Sequence, residues 1–468
     1  VTQYNEKNAE DAASWMKATE DAVYAGEELI ETMYKLCNSS TSDDKNTPNY
    51  QAALLQLQQS AKEFYDTGDT DFGGRNVFTG YRTESKLQFQ AGETVEYRIK
   101  EEFTLKDLQT RTHINTKDPN NTNPDGDIFG YTEAAGFSVD ETMVVPEEYT
   151  RFRLAYDDLK DLSDPDDPGK VVATIKYFDP TLPAIPDPDN PGQDLAWNVS
   201  VPLLAKNSTD AGAFTPGGNE AYLLADTGEV VFGEDIIKNM SALPNTTTYS
   251  IEYEKNQWVT GDLRPEHYFD CTVTKPGQDG KEVTLEYESG SKQRIEYDLG
   301  ANQSLQVNTV AGEVYVHDVG RDVEDLEVAI NQLAKLDDIV NSLEEKIASL
   351  SEGADLDAAN MQLEAAKKAQ SLVKDQVQKL FGSTMTSMKT YQDLVNLAGT
   401  NVGTRGARLD LIQNRLEGQQ ATFKELYINN NHKEIEDSTT ELASARLTYD
   451  AALSATAKIL ETSLMNYI

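Results

Sequence analysis

The sequence predicts an α+β protein: a long antiparallel helical bundle, or coiled-coil stalk, drawn from both chain ends, with an inserted β-rich domain of two β subdomains. Three observations predict it. Apolar residues recur at heptad spacing from Ala12 to Cys37. From about Thr94 to His317 the chain turns to short β-branched and aromatic runs between loops of Pro, Asp, Asn and Gly. After Val319 the helical period returns and holds to the last residue, Ile468. The boundaries read as 1–88 for a helical hairpin with a β turn, 89–318 for the inserted β region, 319–428 for the returning helices with a helical insert, and 429–468 for a terminal assembly helix.

Taken in order, Ala12, Met16, Thr19, Val23, Gly26, Ile30, Met33 and Cys37 alternate in steps of four and three, which is one helical seam. Trp15, Ala22, Leu29 and Leu36 form a second row beside it. The polar run Asn38–Asn49, with Pro48, predicts a break. A second helix then carries Leu54, Leu57, Ala61 and Phe64 on one face, so the two make an antiparallel hairpin. From Gly68 the stretch through Phe72-Gly73-Gly74-Arg75 to Tyr81 predicts a tight turn entering a strand. Strands are predicted at Thr94–Leu105, Tyr149–Tyr156, Val171–Phe178, Tyr249–Tyr253, Val283–Tyr287, Arg294–Tyr297 and Val314–His317. Beyond them Leu326, Ile330, Leu333, Val340, Leu343, Ile347 and Leu350 share a seam interrupted by Asp337. A break at Ser351–Asp355 precedes a helix over about Ala358–Leu397, punctuated by Gly399 and Gly403. A third helix carries Leu409, Ile412, Leu416, Phe423 and Leu426, with a turn or weak spot at Asn429-Asn430-Asn431. The β region is expected to project from the tip of the helical stalk.

The end of the chain is the most informative segment. Leu453, Ala457, Leu460, Leu464 and Ile468 step by four, three, four and four. Ile435, Leu442, Tyr449, Ala452 and Ile459 line a neighbouring row. Residues 451–468 carry only two charged side chains, Lys458 and Glu461. A helix so apolar at the end of an acidic chain needs cover on more than one side. An assembly interface is therefore expected at Ile435, Leu442, Tyr449, Leu453, Ala457, Ile459, Leu460, Leu464 and Ile468. The other reading is a terminal helix docked on its own domain.

Acids outnumber bases 80 to 41, a formal charge of −39. Such a surface repels phosphate backbones and anionic lipid heads, so neither nucleic acid nor membrane is expected as a partner. No apolar run reaches the length of a membrane span, and no basic-then-apolar leader opens the sequence. Two cysteines, Cys37 and Cys271, cannot make a disulfide framework; Cys37, at the end of an apolar stripe, reads as a buried thiol, with a single disulfide as the other possibility. The four histidines, His113, His267, His317 and His432, show no zinc spacing, and there is no phosphate-binding glycine motif. No catalytic set, cofactor or resident metal is expected. One loop, Asn121-Thr122-Asn123-Pro124-Asp125-Gly126-Asp127, places oxygen-bearing side chains at alternate positions. Thr132 stands where a calcium loop would carry its bidentate Glu. Asn121, Asn123 and Asp125 are thus a weak cation site set against a plain solvated turn.

Three stretches carry a family resemblance. Tyr4-Asn5-Glu6-Lys7-Asn8-Ala9-Glu10-Asp11-Ala12-Ala13-Ser14-Trp15 leads into the first hairpin. Gly74-Arg75-Asn76-Val77-Phe78-Thr79-Gly80-Tyr81-Arg82-Thr83 marks the passage from helix to β. The end, from Leu411 through Asn414-Arg415-Leu416-Glu417 and Ala455-Thr456-Ala457-Lys458-Ile459-Leu460 to Ser463-Leu464-Met465-Asn466-Tyr467-Ile468, is the best match. Together they resemble the flagellin superfamily, and within it the hook-associated protein 3 family of hook–filament junction proteins. The likeness covers about 90 residues at the start and about 60 at the end. The family's Ser-x-Gly-x-Arg-Ile opening segment, which pairs with the C-terminal helix, is not found before Val1, so that interface is expected to be half present. Residues 323–398 form a longer helical insert than a minimal member has. The resemblance implies a non-enzymatic flagellar subunit, extracellular and exported without a cleaved signal peptide. Its implied partners are flagellin, a hook-proximal junction protein, a ring of like subunits and an export chaperone. A filament flagellin, or a secreted adhesive module on a helical stalk, are the alternative readings.

Overall fold

The computed structural model describes residues 2–42, 45–121, 123–164, 167, 169–276, 282–300 and 303–465. Contacts divide the chain into two units. One holds Val1–Ser14, Glu296–Val307 and Thr404–Ile468; the other holds Trp15–Ile295 and Asn308–Gly403. Helices α1 (Thr2–Ser40) and α5 (Ala354–Met465) supply residues to both.

In the larger unit α1 and α2 (Thr47–Thr67) form the predicted hairpin. All eight seam residues from Ala12 to Cys37 are buried. Asn46 caps α2: its carboxamide oxygen accepts from the Asn49 amide at 3.1 Å, and Asn49 reciprocates at 3.2 Å. Gly68 caps the end of α2, and a Cβ there would lie 2.3 Å from Leu87. Strands β1 (Asp71–Phe72) and β2 (Arg75–Asn76) follow as a hairpin, its turn made by Gly73 and Gly74 at φ +61° and +78°.

Seven further strands precede helix α3: β3 (Glu96–Phe103), β4 (Gln109–Asn115), β5 (Val145–Arg153), β6 (Val171–Tyr177), β7 (Val199–Lys206), β8 (Ala221–Leu224) and β9 (Glu229–Phe232) lead to α3 (Glu234–Ser241), and β10 (Tyr249–Lys255), β11 (Asp270–Pro276) and β12 (Glu282–Tyr287) come after it. They build one ten-stranded sheet in the order β12-β11-β3-β10-β6-β7-β8-β9-β5-β4, antiparallel except for β7–β8. β3 and β10 alternate buried with exposed positions. β8 and β9 are buried on both faces. One face carries the main core, including Ile99, Phe152, Leu203, Val230 and Tyr249; the other carries a small cluster of Ala213, Tyr222, Leu224 and Val231. From length two β subdomains are expected; the β region forms this one large sheet and a separate two-stranded ribbon, β13 (Glu296–Gly300) with β14 (Gln303–Gln306), in the smaller unit.

Three expectations are corrected. Val314–His317 is not a strand. The Tyr65 hydroxyl donates to the Val316 carbonyl at 2.8 Å, Tyr315 packs against Phe64 and Phe78, and α4 (Asp318–Ser349) starts at once. The carbonyl a ladder would need is already taken. Second, α5 runs unbroken through Gly399, Gly403 and Asn429–Asn431. Such residues cost about 0.5–1 kcal/mol each in a helix interior, too little to break a long continuous helix. Gly399 also serves close packing, since a Cβ there would meet Val23 at 3.4 Å. Third, the sheet does not merely project from a helical tip; helices run alongside it. Gln362 donates to Phe137 O, Lys368 to Glu141 O and Gln376 to Thr112 O, each at 2.7–2.8 Å. At Asp337 the seam of α4 is carried past by buried Leu336, while the Asp337 carboxylate accepts from Gln370 at 2.7 Å.

A buried ion-pair network joins sheet to helix. Arg153, almost wholly buried, reaches Asp322 at 2.7 Å, Asp318 at 2.9 Å and Asp325 at 3.1 Å. Arg151 pairs with Glu229 and Asp325, and Arg111 lies 3.6 Å from Asp325. The Tyr391 hydroxyl of α5 donates to Asp322 at 2.9 Å. Burial alone would raise the Asp325 carboxyl, but Arg151, Arg153 and Arg111 outweigh it and hold the group far below the usual carboxylate range.

Arg153→Met should cost about 3–5 kcal/mol, because it leaves buried Asp322 uncompensated. The chemical-denaturation midpoint reads this, and pairing the change with Asp322→Leu should recover most of the loss. A loss under about 1 kcal/mol for the single change would show that the network does not hold the sheet to the helix. A second test uses pH. Glu101 is buried in the sheet core, accepting from Tyr253 Oη at 2.9 Å and the Ala155 amide at 3.1 Å. Burial outweighs both bonds and pushes its pKa from 4.5 up to about 7. The folded state therefore keeps a proton that the unfolded chain has lost between those values, and this group's contribution falls as pH rises from 4.5 to 7. Glu101→Gln keeps both acceptor contacts and removes the ionisation. At pH 8 it should be about 1–3 kcal/mol more stable than the parent, with the gain vanishing towards pH 4. A pH-independent difference between the two melting curves would refute the assignment.

Candidate assembly surface

In the smaller unit, Leu409, Ile412 and Leu416 of α5 are buried, as are Leu299 and Leu305 of the ribbon and Ala9 and Ala12 of the chain's first helix. Asn8 donates to the Asp298 carbonyl at 3.0 Å, and Arg415 donates to the Gln303 side chain. Here the packing stops. Every residue from 421 to 430 and from 435 to 460 is exposed. Phe423 and Leu426, anticipated on a packed face with Leu409, are exposed as well.

The exposed stretch contains the predicted interface. Ile435 (64% exposed), Leu442, Tyr449, Leu453, Ile459 and Leu460 all stand in solvent, as does Ala457. At 3.6 residues per turn, Ile435, Leu442, Tyr449, Leu453 and Leu460 fall within a sector of roughly 40°. Leu464 lies within α5, but its side chain, like all of Ile468, falls outside the described residues. The sequence reading overlooked Tyr427, Ile428 and Leu447, which extend the exposed apolar surface. Leu447 (75% exposed) lies outside both rows, roughly 120° around the helix from Leu453 on the side away from Ile459. A scan for exposed apolar residues outside the heptad would have found it; a search for periodicity discards it.

Elsewhere the chemistry is that of packed side chains. His113 stacks on Phe214 with ring centroids 4.3 Å apart. His267 Nε2 lies 3.0 Å from the Lys86 carbonyl, and His317 Nε2 lies 2.9 Å from Tyr156 Oη. Burial pushes these pKa values down to about 4, 4 and 3. His432 has a side chain outside the described residues. Cys37 and Cys271 are free, buried thiols, pushed up to about 12 by burial, so they are neither paired nor activated nucleophiles.

The loop of Asn121, Asn123 and Asp125 is closed by its own hydrogen bonds. Asn121 Oδ1 accepts from the Asn123 amide at 3.0 Å, its Nδ2 donates to Ser138 Oγ at 3.1 Å, and the Asp125 carbonyl accepts from the Ser138 amide at 2.7 Å. Among the described residues no group of three or more His, Cys, Asp or Glu is arranged to hold a metal ion, and no helix is long and apolar enough to cross a membrane.

No protein-family model matches the sequence, and no curated protein matches it. Among solved structures the chain is similar to FlgL of Xanthomonas campestris, at 11% identity and a TM-score of 0.33 over 91% of this chain and 96% of that one. It is also similar to the flagellar hook associated protein-3 of Legionella pneumophila, at 9% identity and a TM-score of 0.21 over 90% and 96%. A second Legionella pneumophila structure, described as the flagellar junction protein FlgL, matches at 9% identity and a TM-score of 0.21 over 84% and 95%.

In the free chain, amides of 421–460 should exchange with deuterium at least about a hundredfold faster than those of buried α5 positions such as Val373 and Val377, because nothing packs over the former. Comparable protection in both regions of a monomer would mean that the terminal segment docks on its own domain.

Proposed function

We propose that this chain is a non-enzymatic structural subunit of the bacterial flagellum, a junction piece that links a hook-proximal junction protein to flagellin. Its C-terminal helix packs against like helices in neighbouring subunits of a ring. The observation that carries the reading is the uncovered apolar face at Ile435, Leu442, Tyr449, Leu453 and Leu460. A monomer has no use for such a face, and exposed apolar surface of this extent marks a contact site. The sequence likeness of both chain ends to the hook-associated protein 3 family supports the same reading. Helix packing of this kind needs no cofactor.

The surface also has a consequence before assembly. A bare apolar helix associates unproductively, so an export chaperone that covers residues 435–460 belongs with the proposal. The assembled subunit is then extracellular, on the flagellum.

Leu460→Asp places a charge at the centre of the face while changing an exposed position. Thermal unfolding should stay within about 0.5 kcal/mol of the parent, whereas incorporation into filaments and swimming should be lost. Normal motility of cells carrying only this variant would overturn the proposal. Growth of long filaments from the purified parent chain alone would instead make it a filament subunit.

A further inference from the structure

A shallow groove of about 720 Å³ opens on the larger unit, far in sequence from the terminal helix. One wall is the segment Tyr81–Lys86; Lys275 of β11 and Tyr287 of β12 also line it. Its charge is out of keeping with the chain. Acids outnumber bases two to one overall, 80 to 41, whereas four cations and two carboxylates line this groove. Yet Arg82, Lys86 and Lys275 all line this groove, and none of them makes an ion pair among the described residues. The other cation, Arg264, is taken up by Glu93 at 3.1 Å and Glu266 at 3.7 Å, and Glu266 also accepts from Tyr97 Oη at 2.9 Å. Glu84 is the remaining acid in the wall. Among the described residues, three cations without an ion-pair partner within 4 Å therefore face one such carboxylate, and Lys86 also sits in the field of Asp69.

The groove is also held in shape. The Arg82 guanidinium lies 3.5 Å from the Tyr287 ring centre, and Lys86 donates to Gln90 at 3.0 Å. Tyr81 presents its ring to solvent, 64% exposed, but does not swing freely. Its hydroxyl donates to the Arg294 carbonyl at 3.0 Å, and its amide donates to Gln293 Oε1 at 2.7 Å. Gly80 makes the turn that permits this, at φ +60°, where a Cβ would lie 2.3 Å from Gln293 Oε1. A fixed, solvent-facing aromatic ring beside cations offers a ligand a flat apolar contact and charged anchors in one place.

We propose that the groove binds an acidic oligosaccharide, with uronate carboxylates on Arg82, Lys86 and Lys275 and the flat face of one sugar ring on Tyr81. Carboxylates supply charge-assisted hydrogen bonds to the cations. The apolar face of a pyranose matches an immobilised tyrosine ring, and its hydroxyls meet the polar side chains of Thr83, Ser85 and Gln90 along the same wall. An acidic peptide would satisfy the cations but offers nothing flat for Tyr81. This site is separate from the terminal helix and does not depend on the assembly reading.

The test is calorimetric titration of the full chain, at fixed low salt, with a short oligogalacturonate. Maltohexaose serves as the neutral sugar and polyaspartate as the acidic peptide. Oligogalacturonate should bind and maltohexaose should not. Arg82→Glu combined with Lys275→Glu should weaken binding at least about tenfold, and Tyr81→Ala about three- to tenfold, while far-UV circular dichroism and a cooperative melt show each variant still folded. Absence of oligogalacturonate binding, equal binding by the double variant, equal binding by Tyr81→Ala, or polyaspartate binding as tightly as the sugar would each overturn the proposal. The last outcome would assign the groove to an acidic protein partner.

Discussion

The acidic stripe of α4 against the arginines of β5 is the constraint on which the larger unit depends. Asp318, Asp322 and Asp325 lie on one helical face, four and three residues apart, and all three meet Arg153. Neither side can be buried alone, since an unpaired charge in the interior costs several kcal/mol. The contact therefore exists only in one register of helix against sheet. A slip of α4 by one residue would leave Arg153 and Arg151 facing Val323 or Leu326 instead of carboxylates. Arg321 adds a second clamp beside the first, donating to the Leu154 carbonyl at 3.2 Å, to the Thr227 carbonyl and to Glu324. Apolar packing supplies most of the burial, but it tolerates sliding. The ion pairs specify the fit.

That network also marks the limit of what could be read from residue order. The heptads of α1 and the alternation of β3 were legible because burial imposes a period on one element at a time. β4 was not, because Gln109–Asn115 is polar nearly throughout and its strand character comes from pairing with β5. β8 and β9, four residues each, are too short to show a period. Asp318, Asp322 and Asp325 look like any solvated helix face in an acidic chain, and Arg151 and Arg153 like the outer positions of a strand. Only the fold brings them together. Cys37 was legible as a buried thiol through its place on the seam; Cys271, in a mixed strand, was not. Of the candidate interface, the described residues are exposed on α5. The Tyr81–Lys86 groove left no trace in the sequence pattern, because its cations come from segments nearly two hundred residues apart.

On the assembly reading, energetics decide how the bare helix can be used. Covering a Leu, Ile or Tyr contributes about 2 kcal/mol, so burying the five residues of the narrow sector contributes roughly 10 kcal/mol gross. Association costs an estimated 4–15 kcal/mol in lost freedom. One neighbour is therefore marginal, and subunits of charge −39 also repel one another. A second neighbour covering Ile459 and the Leu447 side of the helix adds burial to a subunit already partly immobilised. Each closure then costs less than the one before. The spread of exposed apolar residues over more than one face of α5 thus matters more than its total. It makes isolated pairs weak and a closed arrangement strong, which is what a part that must stay monomeric until it reaches its place requires.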